Sequence, residues 1–188
     1  MKRPWVRVLL TAGLFFGVPA LASVVVAQTL EEMTRAAPLV VRARVGQVQV
    51  SWDEGEKKIW TRAELQILET VKGAAPSTVV VRQPGGELPT IAQRVDGAAQ
   101  FKTGEEGIFF LETVPDEPNV FTVYALGAGK VVFETSKTGE VRAVRNLEGL
   151  AFYVLPNKQV LKPLGDREDL GTPQTLITRL KKAVGGAR

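Results

Sequence analysis

The sequence predicts a mainly β protein: a small antiparallel barrel or sandwich, with a short N-terminal helix and a C-terminal capping helix. Strand-length runs in which apolar and polar residues alternate recur from Leu39 to Leu155, and Gly, Pro and Asp separate them. No strand–helix–strand rhythm interrupts them, which argues against a parallel sheet. The first long strand also changes its apolar parity midway, from Val41, Ala43 and Val45 to Val48, Val50 and Trp52. An inward face cannot change parity without an extra residue, so a β-bulge is expected at Gly46-Gln47. A bulged first strand that serves two sheets is a feature of five-stranded Greek-key barrels, which tilts the choice toward an OB-like barrel.

Residues 1–27 read as a secretory signal peptide. Lys2, Arg3 and Arg7 form a cationic start, Val8 to Val18 is an uncharged apolar run, and Pro19 breaks it. Ala20-Leu21-Ala22 is a small-x-small cleavage site and Val25-Val26-Ala27 offers a second site, so the new N-terminus is Ser23 or Gln28. The alternative is an uncleaved anchor, since no charge falls between Val8 and Ala27. Removing the leader's three cations lowers the formal net charge from +4 to +1. A nearly neutral protein has no long-range field to gather phosphates, which argues against nucleic acid as a partner.

The remainder, 28–188, is expected as one β-rich domain. Its core lies in about 39–135, and a hairpin and helix occupy 141–184. Thr29 and Glu32 form a capping box for a short helix that Pro38 ends. The strand from Leu39 and the strand Thr61 to Ile67 form a hairpin around the polar turn 53–58. Thr78 to Gln83 is a continuous apolar strand stopped by Pro84-Gly85-Gly86, and 87–100 reads as a loop across the barrel end. Gly107 to Glu112 is a buried strand. Phe121 to Leu126 and Lys130 to Glu134 follow, joined by Gly127-Ala128-Gly129. Val141 to Val144 adds a short strand, and Leu150 to Leu155 with Gln159 to Leu161 a hairpin around Pro156-Asn157. Thr172 and Pro173 open the last helix, and Gly185 is expected just past its end.

The chain has no cysteine and no histidine. That removes His- or Cys-based zinc sites, Ser-His-Asp and Cys-His nucleophilic systems, and haem ligation by these residues. No catalytic, metal or cofactor constellation stands out. Asp53, Glu54 and Glu56 lack the ligand ladder of a calcium loop and read as a solvated turn. Gly127-Ala128-Gly129-Lys130 fails the phosphate-loop spacing, with Tyr124 and Val131 at required positions. Lys102-Thr103-Gly104 and Lys137-Thr138-Gly139 read as turns. Glu105, Glu106 and Glu112 are the candidates for a carboxylate hydrolase, with Glu105 and Glu106 expected to be solvated in a turn.

Two features are candidates for binding a partner. Trp52 and Trp60 flank the first hairpin tip, either as an exposed aromatic clasp or as a cross-strand pair that pins the hairpin. Arg42, Arg44, Arg62 and Arg82 take outward positions on the first three strands. They form either a basic stripe on a ligand-binding barrel face or an ordinary face of mixed charge.

Leu39-Val-Val-Arg-Ala-Arg-Val, the strand beginning Trp60-Thr-Arg, Val71-Lys-Gly, Val81-Arg-Gln-Pro-Gly-Gly and Phe101-Lys-Thr-Gly-Glu-Glu-Gly-Ile-Phe-Phe-Leu-Glu resemble a group of secreted, uncharacterised bacterial proteins over about residues 30–135. Their strand order is also distantly similar to the netrin-type OB barrel of tissue inhibitors of metalloproteinases. That family inhibits through an N-terminal cysteine that chelates the protease zinc. Ser23 or Gln28 would stand there instead, so the inhibitor mechanism does not carry over. The expected function is a non-enzymatic binding or interaction module, periplasmic or extracellular, with no cofactor and with an unidentified protein or envelope ligand as partner. The alternatives are a carboxylate-dependent hydrolase, a signal-anchored envelope protein, and a protease-inhibitor-like protein by fold analogy.

Overall fold

A computed structural model describes residues 22–186, apart from 54, 56, 116, 156 and 157. The leader to residue 21, Glu54 and Glu56 of the acidic turn, and the Pro156-Asn157 turn therefore lie outside the described residues. The elements run β1 (Ser23–Val26), α1 (Leu30–Ala36), β2 (Leu39–Asp53), β3 (Lys58–Lys72), β4 (Thr78–Pro84), β5 (Gly86–Leu88), β6 (Ile91–Gln93), β7 (Glu106–Thr113) and β8 (Val120–Val123). A 3-10 turn (Leu126–Gly129) leads into β9 (Lys130–Thr135), β10 (Val141–Asn146), β11 (Leu150–Val154), β12 (Gln159–Leu161), β13 (Arg167–Asp169) and α2 (Pro173–Gly185).

Strand pairing closes a ring. β2 pairs with β3, β3 with β4, β4 with β8, β8 with β7, and β7 with β2. Every pair is antiparallel except β4–β8. The fold is thus mainly β and built on a five-stranded barrel of OB-like connectivity. The predicted bulge is present as a register shift between Val45 and Val48. It lets β2 pair with β7 through its first half and with β3 along its whole length.

Alternation along β2 sorts its side chains between two cores. Leu39, Val41, Ala43 and Val45 fill the barrel with Ala63, Leu65, Val79, Val81, Phe109 and Leu111. Val40 faces the other way and packs with Ile108, Phe110, Val131 and Ala143 against Leu30 and Met33 of α1 and Leu176, Ile177 and Leu180 of α2. β7 is buried on both faces, which explains its unbroken apolar run. β9, β10 and β13 extend the sheet beyond β7. Gly107 permits this: a Cβ there would lie 2.0 Å from the Val131 carbonyl oxygen of β9.

Both helices begin as the sequence predicts. The Thr29 side chain accepts from Glu32 N at 3.2 Å while Thr29 N donates to the Glu32 carboxylate at 2.7 Å. Thr172 caps α2, with Pro173 in its first turn. Four details differ from expectation. Gly185 is the last residue of α2 and Gly186 caps it. The strand expected over 121–126 stops at Val123, because Ala125 and Leu126 turn into the left-handed region at φ 55° and 54°. The stretch 87–100 holds the small β5–β6 hairpin. β1, expected as part of the leader, pairs in parallel with β11, and β11–β12 completes a three-stranded sheet.

Candidate functional site

β4 continues inward from Val79 and Val81 to Gln83, a polar side chain on the barrel's apolar row. Gln83 is 1% exposed. Its Nε2 donates to Thr122 Oγ1 at 3.2 Å, and its Oε1 is buried without a hydrogen-bond partner. Such orphaned acceptors are scarce in folded proteins, because leaving one unmet costs about 1–3 kcal/mol. Gln83 lines a cleft of about 470 Å³ at the barrel mouth, whose other walls include Val48, Val50, Thr61, Ala99 and Phe101. The β5–β6 hairpin and the segment 94–101 border the cleft. Two bonds pin that hairpin: Ile59 N donates to Gln93 Oε1 at 2.8 Å, and Thr61 Oγ1 donates to Gly85 O at 2.7 Å.

Phe101 forms part of this wall and stacks on Phe109, with ring centroids 6.2 Å apart. The Lys130 ammonium also lies 5.0 Å from the Phe101 ring centroid. Lys130 pairs with Phe109 across β7–β9 and is directed to the barrel side of the sheet. It donates to Gln100 O and meets Glu105 Oε1 as an ion pair, with both side chains largely buried. Burial pushes the Lys130 amine below its usual range, and the Glu105 carboxylate partly offsets that. The pair borders a second cleft of about 400 Å³, across which Arg94 bonds Glu148 at 3.3 Å and Arg167 bonds Glu134 at 2.5 Å.

The other predicted residues are placed as follows. Arg42 and Arg44 both bond Glu106, at 2.7 and 3.0 Å. Arg62 and Arg82, directly opposite in register, both bond Glu117. The four arginines therefore form two carboxylate-bridged pairs. Arg82 also stacks over the Trp60 ring at 4.3 Å. Trp60 stands opposite Ser51 and Trp52 opposite Ile59, so the two tryptophans point to opposite faces of the hairpin. Trp52 is about half exposed.

Family models and curated proteins show no match to this chain.

Glu105 and Glu106 are not solvated as their turn-like surroundings implied. Lys130 draws the first inward, and the two arginines clamp the second against β2. Burial raises the Glu106 pKa, but the bonds from Arg42 and Arg44 outweigh it and leave the carboxyl below its usual range. Glu106 accordingly contributes stability that is fully present above the unfolded value of 4.5 and is lost as pH falls through the lower folded value. Glu106→Gln is expected to flatten the loss of Tm as pH falls below about 5, read by circular dichroism melts.

Gln83 and Lys130 were missed at the level of sequence. Gln83 carried one usable signal, a polar residue in phase with inward valines. Lys130 follows the Gly127-Ala128-Gly129 turn and reads as the first residue of an ordinary strand.

Proposed function

We propose that the chain is an exported, non-enzymatic binding module that holds a small ligand at the barrel mouth. The observation that carries this is Gln83, a residue that lines a cleft of about 470 Å³ and whose buried carboxamide oxygen has no hydrogen-bond partner. A cleft of that size, lined by apolar residues together with polar ones such as Thr61, Gln83, Gln93 and Gln100, has the dimensions of small-molecule sites. The unmet acceptor calls for a ligand that presents a hydroxyl or N–H group to it. Export rests on the leader, with the periplasm or the medium as destination. Two of the three candidate carboxylates weigh against the hydrolase alternative. Arg42 and Arg44 occupy Glu106 and hold its pKa down, Lys130 occupies Glu105, and a general acid needs the opposite shift.

The test is a thermal-shift and tryptophan-fluorescence screen of polyols, sugars, short peptides and small amides, against the wild type and Gln83→Leu. A ligand of this site should raise the wild-type Tm, and its affinity should fall about tenfold in Gln83→Leu, as for one lost hydrogen bond. Equal binding by the variant, or no binding across the screen, overturns the proposal.

A second reading, in which the leader stays as an envelope anchor, is favoured by the surface beside β1. Val24 and Val26 are exposed, and Val26 lies in one cross-strand row with Tyr153 and the exposed Val160. Clustered apolar surface of this kind marks a docking face.

A further inference from the structure

We infer that export processing cuts this chain after Ala22, so that the mature protein begins at Ser23 and the second site, ending at Ala27, is not used. The inference rests on the export reading above and decides between two sites that the sequence leaves equivalent.

A cut after Ala27 would delete β1. That strand is built into the fold along its whole length, in register from Ser23 opposite Leu150 to Val26 opposite Tyr153. Ser23 N donates to Gly149 O at 3.0 Å and Ala27 N to Tyr153 O at 2.8 Å. The Ser23 hydroxyl donates to Asp96 O at 2.5 Å, tying the strand to the segment that borders both clefts. Val25 is 9% exposed and completes a core with Ala128, Leu147 and Leu150. Without β1 that cluster would open to water and one side of β11 would be left as a bare edge, which is an aggregation hazard.

A cut after Ala22 preserves all of these contacts. The Ser23 nitrogen becomes an ammonium, which still donates to the Gly149 carbonyl. Ala20 and Ala22 place small side chains at both positions the peptidase reads. The exposed Val24 and Val26 are then explained as the outer row of a retained strand.

Express the full chain in an export-competent bacterial host and sequence the N-terminus of the product in each fraction. The expected product is released and begins Ser-Val-Val-Val. A start at Gln28 overturns the inference and leaves export standing. Intact chain in the membrane fraction overturns it in favour of the anchor, and intact chain in the cytosol overturns the export reading itself. Ala22→Phe should abolish the Ser23 start, and Ala27→Phe should leave it unchanged. A chain produced directly from Gln28 should melt at least about 5 °C below one produced from Ser23; equal melting temperatures remove the structural basis of the inference.

Discussion

Lys130→Met is expected to lower the melting temperature by roughly 10 °C. Removing one partner of a buried ion pair leaves the other charge without compensation, at about 3–5 kcal/mol. Each kcal/mol shifts Tm by about 2–4 °C in a chain of this size. Glu105 would be left largely buried without its Lys130 partner. The double variant Lys130→Met/Glu105→Gln removes both charges and should recover most of the loss, because the penalty lies in the stranded carboxylate. A cycle in which the single effects simply add would show that the pair is not coupled. The wild type should also gain stability relative to the double variant as pH rises toward 10.5. The folded pKa of Lys130 lies below the unfolded value of 10.5, so between the two the unfolded state binds more protons. Denaturant titrations of both proteins across alkaline pH read that difference.

Phe109→Ala should cost about 3–5 kcal/mol, the range for deleting a fully buried aromatic ring. Phe109 has no exposed surface and supports Phe101 by stacking. Its loss leaves a cavity in the barrel core and frees the Phe101 ring that lines the Gln83 cleft. The denaturant midpoint should fall with the m-value unchanged, and Phe109→Leu should fall less, since it refills part of the volume. Ligand affinity at the Gln83 cleft should weaken in Phe109→Ala as well. Unaltered affinity would show that Phe101 keeps its place without the stack.

Local signals carried most of the barrel. The parity change at Gly46-Gln47, the β2–β3 hairpin and the caps at Thr29 and Thr172 all depend on neighbours within a few residues, and the sequence states them directly. What stayed hidden depends on distant partners. β1 is a short uncharged run that continues the composition of the leader, and its partner is a parallel strand with no turn to announce it. β13 is three charged residues, made a strand only by the free edge of β10. Gln83 stands out by phase, yet nothing local says that Thr122 will satisfy only one side of its amide. Lys130 and Glu105 are each ordinary turn-flanking residues until the barrel brings them together. The basic residues show the same limit: four outward arginines are visible in the sequence, and the two glutamates that bridge them are not.

The pairing of Ser23 with Leu150 also sets an order of assembly. The first strand of the fold is among the last to find its place, because its partner strand belongs to the final quarter of the polypeptide. The barrel strands can associate while those valines are still bare, and ring closure by β8 comes earlier in the chain than β11 does. Contacts this remote in sequence slow folding. A newly made chain therefore carries a sticky, unmatched N-terminal strand until the final sheet forms.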